Sequence, residues 1–526
     1  MVFHLALIFN SEVFHVTLNE RDEKHGVIFI NNLFSTKKIK MHDTISLVDK
    51  IVDTEQQLMN LQNFFKLDSI PQYISIDFNG MIIDCQNIFE GNYISTLKAL
   101  FEINNLVNFN IYNAIFTHQH QPIFIFAPNS LVKIVNCSIT NSKFDFIPEI
   151  IAIPSSDVNF FNFTVDNIIL NKASLMTIFH SYTEMTNISV HSTYIFDCSL
   201  INNVDGTLSI NNFSILKCNG YSSTIFNSIG SVYFTANNLL AFNFTFKNES
   251  THPSFIFYSD FSLELIIQNL TIKNNVGIGV FNGIFKYLDL YNVMIANSTF
   301  YNENFINAEK SGNFILTNTN IQNCICKSII HIDNSISFTI LNSSFNNLSN
   351  PIDNKEIFYE ESQKCFSLFL FSKVSSKISI NSTVFSNIIN TNTIIFSIYN
   401  SIAIFDNVYF KKVQMDSFSC CIKTDSRSNL IVVNSFFPTI NNGHYYPIYS
   451  DGTFSVHNIP VVSKENNFLV IANEIRLNNK IEYWNKAVFI LLVFIQIILF
   501  ASFAIIPFLQ GDYQNQYEIF DDNYEV

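Results

Sequence analysis

A ten-residue pattern, apolar–x–apolar–x–Asn–x–x–apolar–x–Asn, recurs through the middle of this chain. It is complete at residues 132–141, 158–167, 265–274, 288–297, 314–323 and 338–347. Looser copies begin near Thr183, Leu208, Val232, Ile378, Ala403 and Leu430. Successive starts are mostly 23 to 27 residues apart, with longer gaps before Leu265 and Ile378. A fixed period of this kind decides the fold before any local reading does. Each copy opens with strict apolar alternation, the mark of a strand with one buried face. Asn follows where the chain must turn, because its short amide tolerates left-handed backbone angles. A second short strand and a second Asn complete the copy. One copy cannot bury its own apolar face, so copies must stack. The period is shorter than a βαβ crossover of about 30 residues or more, and it lacks helical spacing. The expectation is an all-β chain: a parallel β-helix solenoid of about a dozen coils, each of two or three short strands. At about 4.8 Å per coil it would form a rod on the order of 60 Å long, with Asn side chains hydrogen-bonded along the stack.

Composition fits such a rod. Phe is abundant (56) and charged residues are scarce (14%), as inward anchors on every coil would require. The net charge of −14, with Arg only at Arg21, Arg427 and Arg476, argues against nucleic acid and acidic polysaccharides as partners. The nine Cys show no paired CxxC units, so neither a metal centre nor a cofactor is expected. Cys198 and Cys218 lie about one coil apart and either form a disulfide or are small buried side chains.

Residues 487–509 (AVFILLVFIQIILFASFAIIPFL) carry no charge. As a helix of about 34 Å they would cross a bilayer, with Tyr483 and Trp484 in the preceding aromatic belt. This divides the chain into an N-terminal segment (1–70), a solenoid ectodomain (71–460), a juxtamembrane segment (461–486), a transmembrane helix (487–509) and a short acidic tail (510–526). Sequons stand at Asn136, Asn162, Asn187, Asn212, Asn243, Asn248, Asn269, Asn297, Asn342, Asn347 and Asn381, all on the large N-terminal side. They suggest glycosylation and a rod outside the cell at the plasma membrane. Arg476, Lys480 and Lys486 point the other way, but that rule loses weight for a long translocated domain. Residues 2–9 form an apolar run, either a weak signal peptide or a first strand. In the tail, Tyr517 and Phe520 fit Tyr-x-x-φ, a form that a clathrin-adaptor-type partner binds as an extended segment.

Residues 43–67 read as an amphipathic helix with Asp43 as N-cap, suited to plugging the end of a rod. Residues 74–85 (ISIDFNGMIIDC) read as a first coil with Gly80 at a turn. Segments 242–260 and 350–376, the second dense in charge, and the turn 441–446 are candidate projecting loops.

The repeat resembles right-handed parallel β-helix proteins of the pectin-lyase-like superfamily over roughly residues 72–458, residues 74–85 included. Members that cleave polygalacturonate would carry Asn-Thr-Asp, Asp-Asp, Gly-His-Gly and Arg-Ile-Lys stretches. Here Asp-Asp occurs only at Asp521-Asp522, His444 sits in Gly-His-Tyr, and Arg-Ile-Lys is missing. A C-terminal anchor behind Asn-rich coils is similar to polymorphic-outer-membrane-protein-like families of parasitic protists, although their Gly-Gly-Ala-Ile tetrapeptide is absent. The resemblance implies a non-enzymatic, single-pass surface glycoprotein acting in adhesion or ligand recognition. Its partner would be an extracellular ligand such as a glycan or a cell surface, and its tail would direct endocytosis. The alternatives are a membrane-tethered polysaccharide-active enzyme and a structural coat protein.

Overall fold

One turn, residues 157–181, shows the plan of the whole in this computed structural model. A first run (157–161) ends at Asn162, a second at Asn167, a third at Lys172, and a fourth (Ser174–Phe179) at His180. Each of these four corner residues has a left-handed backbone, φ 54°, 53°, 50° and 49°. The strand Asp157–Asn171 therefore runs through two corners without losing its ladder. The turn has four runs rather than two or three, because left-handed Lys and His also serve at corners that the Asn pattern did not mark.

Every neighbouring turn pairs in parallel, residue for residue. Val158 lies against Thr183, and the column continues through Leu208, Phe234, Leu265, Leu288, Phe314, Phe338, Ile378, Ala403 and Leu430. These are the repeat starts, with one correction: the copy placed near Val232 starts two residues later, at Phe234. All are buried. Among the described residues the column runs on through sixteen rungs, from Val13–Thr17 to Asn429–Val433, more than the dozen expected. The structure describes residues 12–19, 27–30, 32, 43–65, 74–86, 99–103, 108–230, 232–247, 254–300, 304–310, 312–326, 328–349, 367–375, 377–390, 394–415, 420–437, 448–458 and 496. The chain divides into two units, 1–452 with 456–460 and 453–455 with 461–526, and the solenoid is the first.

The core is columns of rings and branched aliphatics. Phe345, Phe385, Phe410 and Phe437 stack with centroids 5.0–5.2 Å apart and planes within 18°. Phe226, Phe257 and Phe281 do the same at 5.0 Å. Parallel strands impose that spacing on identical inward side chains.

The N-terminal part differs from expectation. Thr44–Leu47 is a strand, paired in parallel with Val13–Thr17 on one side and with residues 75–77 on the other. Helix α1 begins only at Glu55 and ends at Phe65. Thr54 and Gln57 cap it: the Gln57 N–H donates to Thr54 Oγ1 (3.4 Å), and the Thr54 hydroxyl donates to Gln57 Oε1 (2.9 Å). Asp43 is no cap; it is buried and accepts the Glu12 N–H at 3.0 Å. Partners on both sides make Thr44–Leu47 extended despite its helical spacing. Helix α1 buries Leu58 and Leu61, and Asn60 Nδ2 donates to Leu18 O at 3.2 Å. Residues 74–85 form a coil that turns through Asn79 (φ 50°) and Gly80 (φ 76°), but it is not the first, since 44–52 and 13–17 stack before it.

Residues 487–509 lie outside the described residues apart from Gln496, as do 2–9, 248–253, 350–366 and 441–446. Among the described residues no helix is long and apolar enough to cross a membrane.

Candidate functional site

The corners carry the chain's polar order. Nine Asn at the first corner, from Asn113 to Asn318, each reach the turn below: Asn136 Nδ2 donates to Asn113 Oδ1, Asn162 to Asn136, Asn187 to Asn162 and Asn212 to Asn187, at 2.9–3.2 Å. Asn238, Asn269, Asn292 and Asn318 continue the series, Asn269 through Asn237. A second ladder runs through Asn243, Asn274, Asn297, Asn323 and Asn347. The sequons belong to these corners. Asn136, Asn162, Asn187, Asn212, Asn269 and Asn342 stand at the first, and Asn243, Asn297 and Asn347 at the second. Asn381 ends a first run, one residue before left-handed Ser382. Asn248 lies outside the described residues, as do Tyr517 and Phe520. The sequon grammar follows from the geometry: a turning Asn, a buried residue such as Phe163 or Phe213, then an outward Thr or Ser.

Sequence reading missed the residue behind the fourth corner. Buried Ser130, Ser156 and Ser181 interlock there, the N–H of Ser130 donating to Ser156 Oγ (3.2 Å) and that of Ser156 to Ser181 Oγ (2.9 Å). Ser375, Ser401 and Ser428 repeat the device. The hydroxyls satisfy amides that a buried corner would otherwise strand.

Between Gly283 and Tyr287 the fourth corner takes a short path, as it does again between Ile398 and Ile402. The chain passes from Gly283 to Tyr287 in four residue steps, while the paired turns on both sides, Ser259 to Glu264 and Ala308 to Asn313, take five. Glycine makes the shortcut feasible. A Cβ on Gly283 (φ 128°) would lie 1.9 Å from Ser259 O, and one on Gly312 would lie 2.0 Å from Lys286 O. Beside this corner lies an open groove of about 730 Å³ lined by Glu264, Ile284, Lys286, Tyr287, Lys310, Gly312, Asn313, Asn334 and Ile336. The chain's signals for it were the long gap before Leu265 and the glycines at 277, 279, 283 and 312, neither of which names the lining.

The lining mixes ring, amide and charge. Lys286 Nζ pairs with Glu264 across adjacent turns. Tyr287 Oη donates to Asp289 Oδ2 at 3.2 Å. A tyrosine that reaches two residues along its own strand leans along the sheet, and Tyr287 is half-buried there. Partial burial, then the Asp289 charge and hydrogen bond, raise the Tyr287 pKa. Two carboxylates, Glu264 and Asp289, thus flank one ring on neighbouring strands. Among the described residues no group of three or more His, Cys, Asp or Glu is placed to hold a metal.

Cys198 and Cys218 do not stack. One follows left-handed Asp197 at the third corner, the other left-handed Lys217 at the second, and both are free thiols. Their separation of 20 residues falls short of the 25 that separate paired residues such as Thr183 and Leu208.

No protein-family model matches the chain, and no curated protein matches it. The expected place among polymorphic-outer-membrane-protein-like families is therefore not supported. Solved structures similar to it are β-helical. They include bacteriophage CBA120 tailspike protein 3 (9% identity, TM-score 0.29, covering 78% of this chain and 59% of that one). The surface adhesin PfbA of Streptococcus pneumoniae is also similar (12%, 0.26, 57% and 89%). A third is the catalytic domain of a GH87 α-1,3-glucanase in complex with nigerose (12%, 0.28, 80% and 68%). The chain thus spans about 59% of the tailspike's length. At these TM-scores nothing of their ligands or reactions transfers. One expectation is nevertheless corrected: enzymes stand among these similar structures, so the missing catalytic signature is no ground for calling this chain a non-enzyme.

Proposed function

We propose that the solenoid is a recognition module of a cell-surface adhesion protein and takes a carbohydrate chain in the recessed fourth corner. The observation that carries the reading is the groove itself. One shortened corner brings the Tyr287 ring, the Asn313 and Asn334 amides and the Glu264–Lys286 pair to a shared recess. A ring face with convergent amides and a few charges is how proteins hold polyhydroxylated ligands: apolar ring faces stack, and the polar groups fix orientation. The rest of the proposal is topological. The segment 487–509 anchors the chain in the plasma membrane with the solenoid outside, and the tail offers Tyr517 and Phe520 to an endocytic adaptor.

The test is a glycan array probed with the purified full-length protein, alongside Tyr287→Ala and Asn313→Ala. Binding to a defined glycan that falls at least tenfold in both variants supports the groove. No bound glycan, or binding indifferent to both changes, overturns it. Treatment of the cell-expressed protein with an N-glycosidase checks the orientation: a mobility shift is expected, and an unshifted chain contradicts an external solenoid.

A second reading has its own observation, the two carboxylates beside Tyr287. If the bound chain is also cleaved, Glu264→Gln and Asp289→Asn should each abolish release of new reducing ends while leaving binding within a few-fold.

A further inference from the structure

The groove is the end of a longer strip. The opening residue of each first run faces outward, and parallel pairing sets these residues in one column: Leu131, Asp157, Tyr182, Thr207, Tyr233, Glu264, Tyr287 and Asn313. The column alternates. Apolar or aromatic side chains stand on every second rung at Leu131, Tyr182, Tyr233 and Tyr287, and polar ones on the rungs between. Leu131, Tyr182 and Tyr233 are 42%, 43% and 42% exposed, the kind of exposure that an unpartnered strand face does not need for stability. Rungs are about 4.8 Å apart, so consecutive rings are about 10 Å apart.

That spacing discriminates among extended polymers. A peptide strand repeats every two residues, about 6.8 Å, and falls out of step with the rings at once. An extended 1,4-linked pyranose chain repeats every two sugars over a length close to two rungs, presenting like ring faces at that interval. Charge narrows the class further. Asp157 and Glu264 lie in the column, Glu184 lies beside Tyr182, and Asp289 lies beside Tyr287. Against these four carboxylates stand Lys133, Lys286 and Lys310, with Lys286 already paired with Glu264, so the strip keeps a small acidic excess. Such a strip repels uronic acids and phosphates and attracts ammonium groups.

We infer that the strip from Leu131 to Asn313 binds an extended, 1,4-linked amino-sugar polymer laid along the solenoid axis, with alternate sugars on Tyr182, Tyr233 and Tyr287. This rests on the groove being a carbohydrate site and deepens it by naming polymer, direction and register. The ring faces supply stacking, and the carboxylates hold amino groups through charge-assisted hydrogen bonds.

The experiment is calorimetric titration of the full-length protein with a 1,4-linked glucosamine hexamer, and with a galacturonate hexamer as the acidic counterpart. The glucosamine hexamer should bind, more weakly as salt rises, and the galacturonate hexamer should not. Tyr182→Ala and Tyr233→Ala together should weaken binding about tenfold or more, and Asp157→Lys should weaken it comparably. Tyr291→Ala, exposed but outside the column, should change nothing and controls for folding. Equal binding of the two hexamers, no binding of the glucosamine hexamer, or indifference to the paired tyrosine variant overturns the inference. A glycan that requires Asn313 but neither Tyr182 nor Tyr233 would sink the strip while leaving the groove standing.

Discussion

At the scale of single residues, the Asn corners carry the fold. A non-glycine, non-Asn residue held left-handed costs roughly 1–2 kcal/mol, and a ladder hydrogen bond contributes about 1 kcal/mol net. Asn212 (φ 58°) donates to Asn187 and accepts from Asn238. Asn212→Ala should therefore lose about 3–4 kcal/mol in urea unfolding, summing strain and two ladder bonds. Asn212→Gly, which keeps the backbone angle at no cost, should lose distinctly less; equal losses would refute the strain component. The thiols make a second residue-scale prediction. Burial pushes Cys85 and Cys218 up to about 12, and Cys137 and Cys324 to about 11. Their pKa is raised on folding, so the stability linked to the neutral thiols is present below about 9, the unfolded value, and is lost as pH rises toward 11–12. Thermal unfolding should show the melting temperature falling over that window, and a Cys85→Ala, Cys218→Ala variant should show a shallower fall. At pH 8 the folded protein should resist alkylation at these positions until denaturant is added.

At the scale of the element, the recessed corner and the phenylalanine columns make opposite demands on side-chain size. Gly283→Ala places a methyl against Ser259 O in a backbone region that L-residues avoid. It should cost at least about 2 kcal/mol and abolish groove binding even where the chain remains folded, seen as near-native circular dichroism with no glycan signal. In the column, Phe385 touches Phe345, Phe369, Phe396 and Phe410. Truncation to Ala should cost about 3–5 kcal/mol by leaving a ring-sized cavity, whereas Phe385→Leu should be milder. Helix α1 illustrates why local spacing misleads. Residues 44–47 look helical in a window, but strands waiting on both sides supply backbone partners that a lone helical turn cannot match.

At the scale of the whole molecule, stability is a sum over turns and their interfaces. Removing residues 182–206, one full turn, rejoins Ser181 to Thr207, which occupies the place of Tyr182. That deletion should retain the parallel fold with a modest loss of stability. Removing 195–206 should destroy it, because the later chain would be thrown half a turn out of register, Thr207 falling on the buried place of Ile195; circular dichroism and urea unfolding distinguish the two. The chain by itself determined the architecture. Period, alternation and turning Asn predicted the rungs so closely that the repeat starts coincide with the buried column, Val232 excepted, since each is a local rule applied many times. Tertiary structure alone decided the rest. Corners held by Lys172, His180 and Phe146 carry no turn signature and become left-handed only because the stacked turns on either side leave the backbone no other path. The groove gathers residues of four consecutive turns, Glu264, Tyr287, Asn313 and Ile336 among them, which meet only once those turns are paired. The tyrosine column joins residues 23 to 31 apart in sequence. The irregular spacing of the turns hides its two-rung alternation from the sequence, and it appears only when the ladder sets the rungs side by side.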